Sequence, residues 1–162
     1  MSYIVAIDVG IKNMGMCVYS VVTNSYVYWN NISMVEGVYN PSETVSYVIN
    51  FVNNHRIYFD DLHVLLVERQ MRCNMRIVQA VFETLFYGKC RIISARSVKM
   101  HYGLSMRNYA ENKRIAVAWV TRELVHMRMH VEVANVFYER RKKDDMADSM
   151  LLLCYYLHTY SN

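Results

Sequence analysis

Near the end of the chain, KKDDMADSM runs from Lys142 to Met150 and sets Asp145 and Asp148 three residues apart. On an α-helix that spacing brings both carboxylates to one face, where like charges repel. At an effective dielectric near 20, two such charges about 4 Å apart cost roughly 4 kcal/mol, so a cation is the obvious compensating partner. Favourable charge at a helix N-terminus explains one of the two well and a pair on the same face less well. Two further acids stand where apolar runs end: Asp8 in YIVAIDV and Glu68 directly after LHVLLV. A carboxylate at the end of a buried strand is costly unless it is paired or bound to metal. For Glu68, an ion pair with Arg69 or Arg72 carries equal weight.

Bringing four such acids together is the task of the elements between them. Tyr3–Val9, Gly15–Val22 and Tyr26–Met34 are apolar or β-branched runs with only short breaks such as Thr23-Asn24-Ser25, which predicts three consecutive strands. Pro41-Ser42-Glu43 precedes Val45, Val48, Ile49 and Val52 at helical spacing, predicting a helix to about Asn54 with Ser42 as its N-cap. Leu62–Val67 is short and almost wholly apolar, as in a strand buried on both faces. From Asn74, the set Ile77, Val78, Val81, Phe82, Leu85 and Phe86 predicts an amphipathic helix that Gly88 stops. A strand at Arg91–Ala95, a helical turn at Ser97–Tyr102 and helices near 112–124 and 144–160 complete the order. Three meandering strands followed by alternating helix and strand predict an α/β fold: a mixed five-stranded sheet, antiparallel then parallel, with helices on both faces.

At 162 residues, 54% hydrophobic, with five glycines, one proline and no low-complexity stretch, the chain is expected to form a single domain over 1–162. The opening MSYIVAIDVG has no basic region ahead of an apolar core, so no signal peptide is expected. Its longest apolar run, Met150–Leu157, is far shorter than the roughly 20 residues that span a bilayer. An intracellular protein without membrane association is the expectation. Cys17, Cys73, Cys90 and Cys154 show no C-x-x-C spacing and read as reduced thiols packed as small hydrophobes. The net charge of +4 hides an asymmetry: residues 1–68 hold two basic and six acidic side chains, residues 69–162 sixteen basic and eight acidic. A surplus of Lys and Arg in the same half as the aspartate pair points to a nucleic acid, whose phosphates such residues neutralise.

Five blocks, AIDVGIKNMG (6–15), LLVERQMR (65–72), SARSVKMHYG (94–103), NYAENKRIAVAW (108–119) and KKDDMADSMLLL (142–153), resemble in content and order the poxvirus Holliday junction resolvases. These belong to the RuvC group of the RNase H-like superfamily. The last block is the most specific, whereas the Asp-x-Gly of the first also occurs in actin-like and sugar-kinase ATPases, whose duplicated fold needs roughly twice the length of one domain. The resemblance implies an RNase H-like fold and a structure-selective DNA endonuclease that cuts four-way junctions symmetrically. Carried over position by position, it implies that Asp8, Glu68, Asp145 and Asp148 hold two Mg²⁺ ions, for which Mn²⁺ would substitute. A ligand set of Asp and Glu without Cys or His suits such a hard cation. Asp8 is expected to bridge the ions, Glu68 and Asp148 to hold one side each, and Asp145 to complete the site or orient water. RuvC often has histidine among its C-terminal ligands, where this sequence has Asp-x-x-Asp.

In the N-K block, Lys113 is implied to contact the scissile phosphate or steady the nucleophile, with Lys99 as the second candidate. Arg69, Arg72, Arg76, Lys142 and Lys143 are expected to follow the DNA backbone, and Tyr102, Tyr109 and Phe86 are candidates for stacking on exposed bases. Cutting two opposite strands of a junction needs two sites in fixed relation, hence a C2 homodimer, with the helix from Met75 to Tyr87 as part of the contact. Branched DNA is the expected partner, no small-molecule cofactor is expected, and the family places the work in the cytoplasm of an infected cell. Two rivals remain open at this point. One is an RNase H-type ribonuclease using the same carboxylates on an RNA:DNA hybrid; the other is a non-catalytic basic nucleic-acid-binding module whose acids are ion pairs and helix caps.

Overall fold

The computed structural model describes residues 1–104 and 108–160, and of residue 109 the backbone only. Five strands, β1 (Tyr3–Asp8), β2 (Met14–Ser20), β3 (Ser25–Ile32), β4 (Leu62–Glu68) and β5 (Cys90–Ile93), form one sheet in the order β3-β2-β1-β4-β5. β1 pairs antiparallel with β2, and β2 with β3, while β1–β4 and β4–β5 are parallel. The mixed sheet expected from the sequence is thus present; the helix Cys73–Leu85 makes the crossover from β4 to β5, and the chain returns from β3 to β4 through two α-helices.

Alternation along the strands splits the core in two. Tyr3, Val5 and Ile7 of β1, with Leu65 and Val67 of β4, face α1 (Thr44–Asn54), α2 (Arg56–Phe59) and α3 (Cys73–Leu85), where they meet Val48, Phe51, Phe59, Val78 and Phe82. Ile4 and Ala6, with Val64 and Leu66, face the other way, into a layer built around α7 (Asp144–Tyr160). α7 buries residues from Met146 to Cys154, apart from a part-exposed Asp148, because it is sandwiched between the sheet and α4 (Ala95–His101) and α5 (Tyr109–Glu123). A helix apolar on all sides belongs in a core, and each fully buried leucine there contributes about 2 kcal/mol. Its acidic residues, Asp144, Asp145 and Asp148, are therefore confined to its first two turns, at the mouth of the sheet.

Two details depart from the expectations. The cap before α1 is Asn40, whose side chain accepts from the Ser42 amide at 3.2 Å and starts a 3₁₀ turn at Pro41–Glu43; Ser42 lies inside that turn. The sequence pattern also gives no element at Val131–Glu139, which forms α6. Its valines favour strands by propensity, but the segment is coiled so that Phe137 can stack on Trp29 of β3, ring centres 4.4 Å apart. No helix among the described residues is long and apolar enough to cross a membrane.

Candidate active site

Strand register puts the acidic positions in one row. Ile7 of β1 pairs with Val67 of β4, so Asp8 and Glu68 follow side by side, and Asp8 pairs on its other side with Gly15 of β2, which pairs in turn with Asn31 of β3. By the period of two, all four share the face that carries Ala6, Cys17, Trp29 and Leu66, and this is the face against which α7 packs. The end of the row nearest α7 is open at Gly15 for a steric reason. A Cβ there would lie 1.9 Å from the main-chain oxygen of Asp145. Only glycine lets the first turn of α7 settle onto β2, and that seat brings Asp145 and Asp148 over Asp8 and Glu68.

Other contacts fix the same turn. Trp29 Nε1 donates to the Met146 carbonyl at 2.8 Å, Asn31 Nδ2 donates to Asp145 Oδ2 at 3.2 Å, and Ser149 Oγ donates back to the Met146 carbonyl at 2.8 Å. Asp144 and Asp145 occupy the first turn, where the helix N-terminus favours negative charge.

Crowding of the carboxylates is visible in their protonation. Burial first, and then the negative charge of Glu68, Asp148 and Asp145, pushes the Asp8 carboxyl well above the ordinary range. Glu68 is raised to about 7, by burial and next by Asp148, against the opposing charge of Lys99. Asp148 is raised by burial despite the nearby Lys99. Asp144 behaves oppositely: burial works against its ionisation, but the hydrogen bond and charge of Lys113 prevail and hold it below the usual value.

Three lysines meet these acids. Lys99 Nζ lies 3.3 Å from Asp148 Oδ1, Lys142 Nζ lies 2.6 Å from Asp145 Oδ2, and Lys113 is ion-paired with Asp144. The Lys99 contact is a charge contact without hydrogen-bond geometry, which leaves Asp148 Oδ1 buried with no hydrogen bond. Neither Arg69 nor Arg72 pairs with Glu68, so the strand-end ion pair is not what holds that carboxylate.

Asp8, Glu68, Asp145 and Asp148 line one cleft of about 680 Å³ together with Lys99, Lys113, Lys142, Arg69 and Arg72. Lys12, on the tight turn between β1 and β2, also lines it. The remaining candidates lie elsewhere. Arg76 faces an apolar groove along α3. Lys143 donates to the Tyr138 carbonyl at 3.2 Å and lies 5.2 Å above the Phe137 ring, turned from the cleft. Phe86 is stacked on Phe59, and Tyr102 is packed on Trp119 with its hydroxyl hydrogen-bonded to His158 Nδ1 at 3.0 Å. Both rings are occupied by packing and are not presented for base stacking; the Tyr109 side chain lies outside the described residues.

Whether these residues suit a metal is answered by their chemistry. An all-oxygen donor set, the Asp8 and Glu68 carboxyls raised by burial and by neighbouring negative charge, and a buried Asp148 Oδ1 with no hydrogen bond all fit a hard divalent cation. Among the described residues no three Asp, Glu, His or Cys side chains converge closely enough to enclose an ion as they stand. Asp145 and Asp148 are turned to Lys142 and Lys99 instead, so holding an ion requires these side chains to rotate.

Sequence reasoning missed Gly15, Trp29, Asn31, Asp144 and Lys12 as parts of this region. Gly15 and Asn31 follow from strand register once the pairing is known, and Gly15 ends the AIDVGIKNMG block that carries Asp8.

The model of the poxvirus A22 protein family matches residues 2–159. No curated protein matches the sequence. Among solved structures, the chain is similar to the fowlpox virus resolvase in complex with substrate Holliday junction DNA: 14% identity, TM-score 0.74, 99% of each chain covered. It is also similar to the yeast mitochondrial Holliday junction resolvase, at 21% identity and TM-score 0.70, covering 92% of this chain and 76% of the other. A third likeness is to Thermus thermophilus RuvC in complex with a Holliday junction substrate, at 11% identity and TM-score 0.54, covering 99% and 98%. The fold is therefore the RNase H-like fold of the RuvC-type proteins.

Proposed function

Because the chain belongs to the poxvirus A22 protein family, we propose that it is a structure-selective DNA endonuclease that resolves four-way junctions by metal-dependent phosphodiester hydrolysis, residues 1–162 acting as a single nuclease domain. The observation that carries this reading is the carboxylate row. Asp8 and Glu68 sit side by side on adjacent strands beneath the Asp145 and Asp148 turn of α7, in a cleft also lined by Lys99, Lys113 and Lys142. Asp8 and Glu68, raised by burial and by the acids around them, are poised for cations, and the surrounding lysines for a phosphate.

Asp8, Glu68, Asp145 and Asp148 would hold two Mg²⁺ ions, with Mn²⁺ as substitute. Bound there, the ions would supply an activated water and charge neutralisation at the attacked phosphate and the leaving oxygen. Asp8 would be the central ligand of this set, beside Glu68 in the sheet and beneath the Asp145 and Asp148 turns of α7. Asp145 is oriented by Asn31, and Lys113 by Asp144. Tied in this way, Lys113 would serve as a positioned cation for the scissile phosphate, and Lys99 and Lys142, when displaced from their aspartates, would become further phosphate contacts. Arg69 and Arg72, on the loop after β4, extend the same cationic rim.

Two such sites joined by a C2 axis would cut opposite strands. α3 offers the surface: Val78 and Phe82 are buried, while Ile77 and Leu85 point outward, with Val45 of α1, around an apolar groove of about 670 Å³. The role that follows is resolution of recombining or concatemeric viral DNA in the cytoplasm of the infected cell.

A labelled synthetic four-way junction, with a linear duplex and an RNA:DNA hybrid beside it, tests the proposal on wild type and Asp145→Asn with Mg²⁺ or EDTA. Paired, symmetric nicks on the junction that require Mg²⁺ and vanish in the variant are the expected result. Binding without cutting under any divalent ion would leave only a binding module, and cutting of the hybrid alone would move the substrate to RNA.

A further inference from the structure

Beside the carboxylate cleft lies a second concavity, about 600 Å³, between α5 and the Arg141–Asp144 segment that leads into α7. Lys113 and Lys142 line both, so the two form one continuous channel wall. The run Arg140 to Lys143 is divided among four tasks. Arg140 Nη2 donates to Asn30 Oδ1 at 2.8 Å, Lys142 pairs with Asp145, and Lys143 is folded onto Tyr138 and Phe137. Arg141 is exposed and lines the second concavity with Arg114 of α5, which makes a long, exposed contact of 3.9 Å with Glu111. Asp144, the acid in this wall, is already neutralised by Lys113. The wall is otherwise apolar stem and Val117, so its charge is a surplus of cations held on a fixed scaffold.

We propose that this groove, through Arg114 and Arg141, binds the phosphate backbone of the DNA strand as it leaves the cleft, at nucleotides flanking the scissile phosphate. The inference rests on the reading of the cleft as a site for branched DNA. Continuity is the argument for an extended polyanion: a strand whose phosphate sits against Lys113 and Lys142 has the groove as its next cationic surface. Lone phosphate binding needs only one of the two concavities, whereas a backbone uses the shared lysines as the step between them.

The test measures affinity of the full chain for a four-way junction in EDTA across a range of KCl concentrations, for wild type, Arg114→Gln, Arg141→Gln and the double variant. Each phosphate contact adds about 0.9 to the steepness of log affinity against log salt, so losing one lowers it by about that amount. The slope is expected to fall by about that amount in each single variant and by about twice that in the double, with unchanged thermal midpoint. Arg141→Lys, which keeps the charge, should retain the wild-type slope, and Arg56→Gln, on α2 in the acidic half of the chain, should also leave it unchanged. An unchanged slope in both glutamine variants of a folded protein overturns the groove, as does a slope lowered on an RNA:DNA hybrid but not on the junction. The two readings separate cleanly. Lowered slopes in a protein that never cuts junctions would leave the groove standing and remove the resolvase, whereas cutting with unchanged slopes would remove the groove alone; absence of junction binding by wild type would remove both.

Discussion

Glu68 shows what the site costs the fold in the absence of a cation. Its carboxyl is raised from an ordinary 4.5 to about 7, by burial first and by the charge of Asp148 next. A carboxyl that holds its proton more tightly folded than unfolded stabilises the fold at low pH and loses that contribution as pH rises through its folded value. Ion-free protein should therefore lose stability between about pH 4.5 and about 7, by up to about 3 kcal/mol from this residue. Asp8 and Asp148, also raised, act in the same direction. Melting in EDTA at several pH values checks this: Glu68→Gln should flatten the decline and melt above wild type at pH 8, yet lose junction cleavage. Mg²⁺ should then stabilise wild type at pH 8 and the variant far less, because a ligand stabilises only the state that binds it. A variant that melts below wild type in EDTA at pH 8 would mean that the carboxylate is not under electrostatic strain.

At the scale of elements, the decisive contact is the seat of α7 on β2. Gly15→Ala sets a Cβ against the Asp145 main-chain oxygen, which cannot move without shifting the helix. Overpacking of this kind costs about 1–3 kcal/mol, and the shift would carry Asp145 and Asp148 away from Asp8. Chemical denaturation and Mg²⁺ titration calorimetry should show both effects, lowered stability and weakened ion binding. Trp29→Phe makes the useful contrast. It removes one hydrogen bond from the Met146 carbonyl, which keeps its Ser149 donor, at about 0.5–1.5 kcal/mol, while Gly15 still admits the helix. Stability should fall there with ion affinity largely kept. Equal loss of ion affinity in the two variants would show that the tryptophan, and not the glycine, sets the position of the turn.

For the whole molecule, the positive half of the sequence is not one positive face. Lys89 donates to the Leu62 carbonyl at the start of β4, and Arg91 lies 5.5 Å from the rings of both Tyr156 and Tyr160 at the far end of α7. These cations support the fold at the end opposite the cleft, so the proposed polyanion surface is the smaller set gathered near the start of α7. In the proposed dimer, the apolar groove on α3 is the two-fold contact. Charged residues in place of Ile77 and Leu85, both more than two-fifths exposed, should convert a dimer to a monomer in sedimentation while leaving the melting point nearly unchanged. Junction nicks should then become unpaired, one strand at a time. A doubly substituted protein that stays dimeric would place the two-fold contact on another surface.

Asp8, Glu68, Asp145 and Asp148 were legible in the sequence because a strand-end acid and a paired acid on a helix each break the local pattern of polarity. The order of elements along the chain and the mixed sheet were legible too, since short apolar runs mark β1 and β4 and apolar residues at helical spacing mark α3. Three-dimensional packing alone decided the rest. Val131–Glu139 is helical because Phe137 gains the Trp29 ring, a contact more than a hundred residues distant in the chain, against the strand preference of its valines. Gly15 and Asn31 joined the site through register, and the lysines took separate partners: Lys113 with Asp144, Lys99 with Asp148, Lys142 with Asp145. Sequence fixes which residues carry charge and which faces must be buried, whereas a pairwise contact across the fold depends on distances that exist only after those faces have closed.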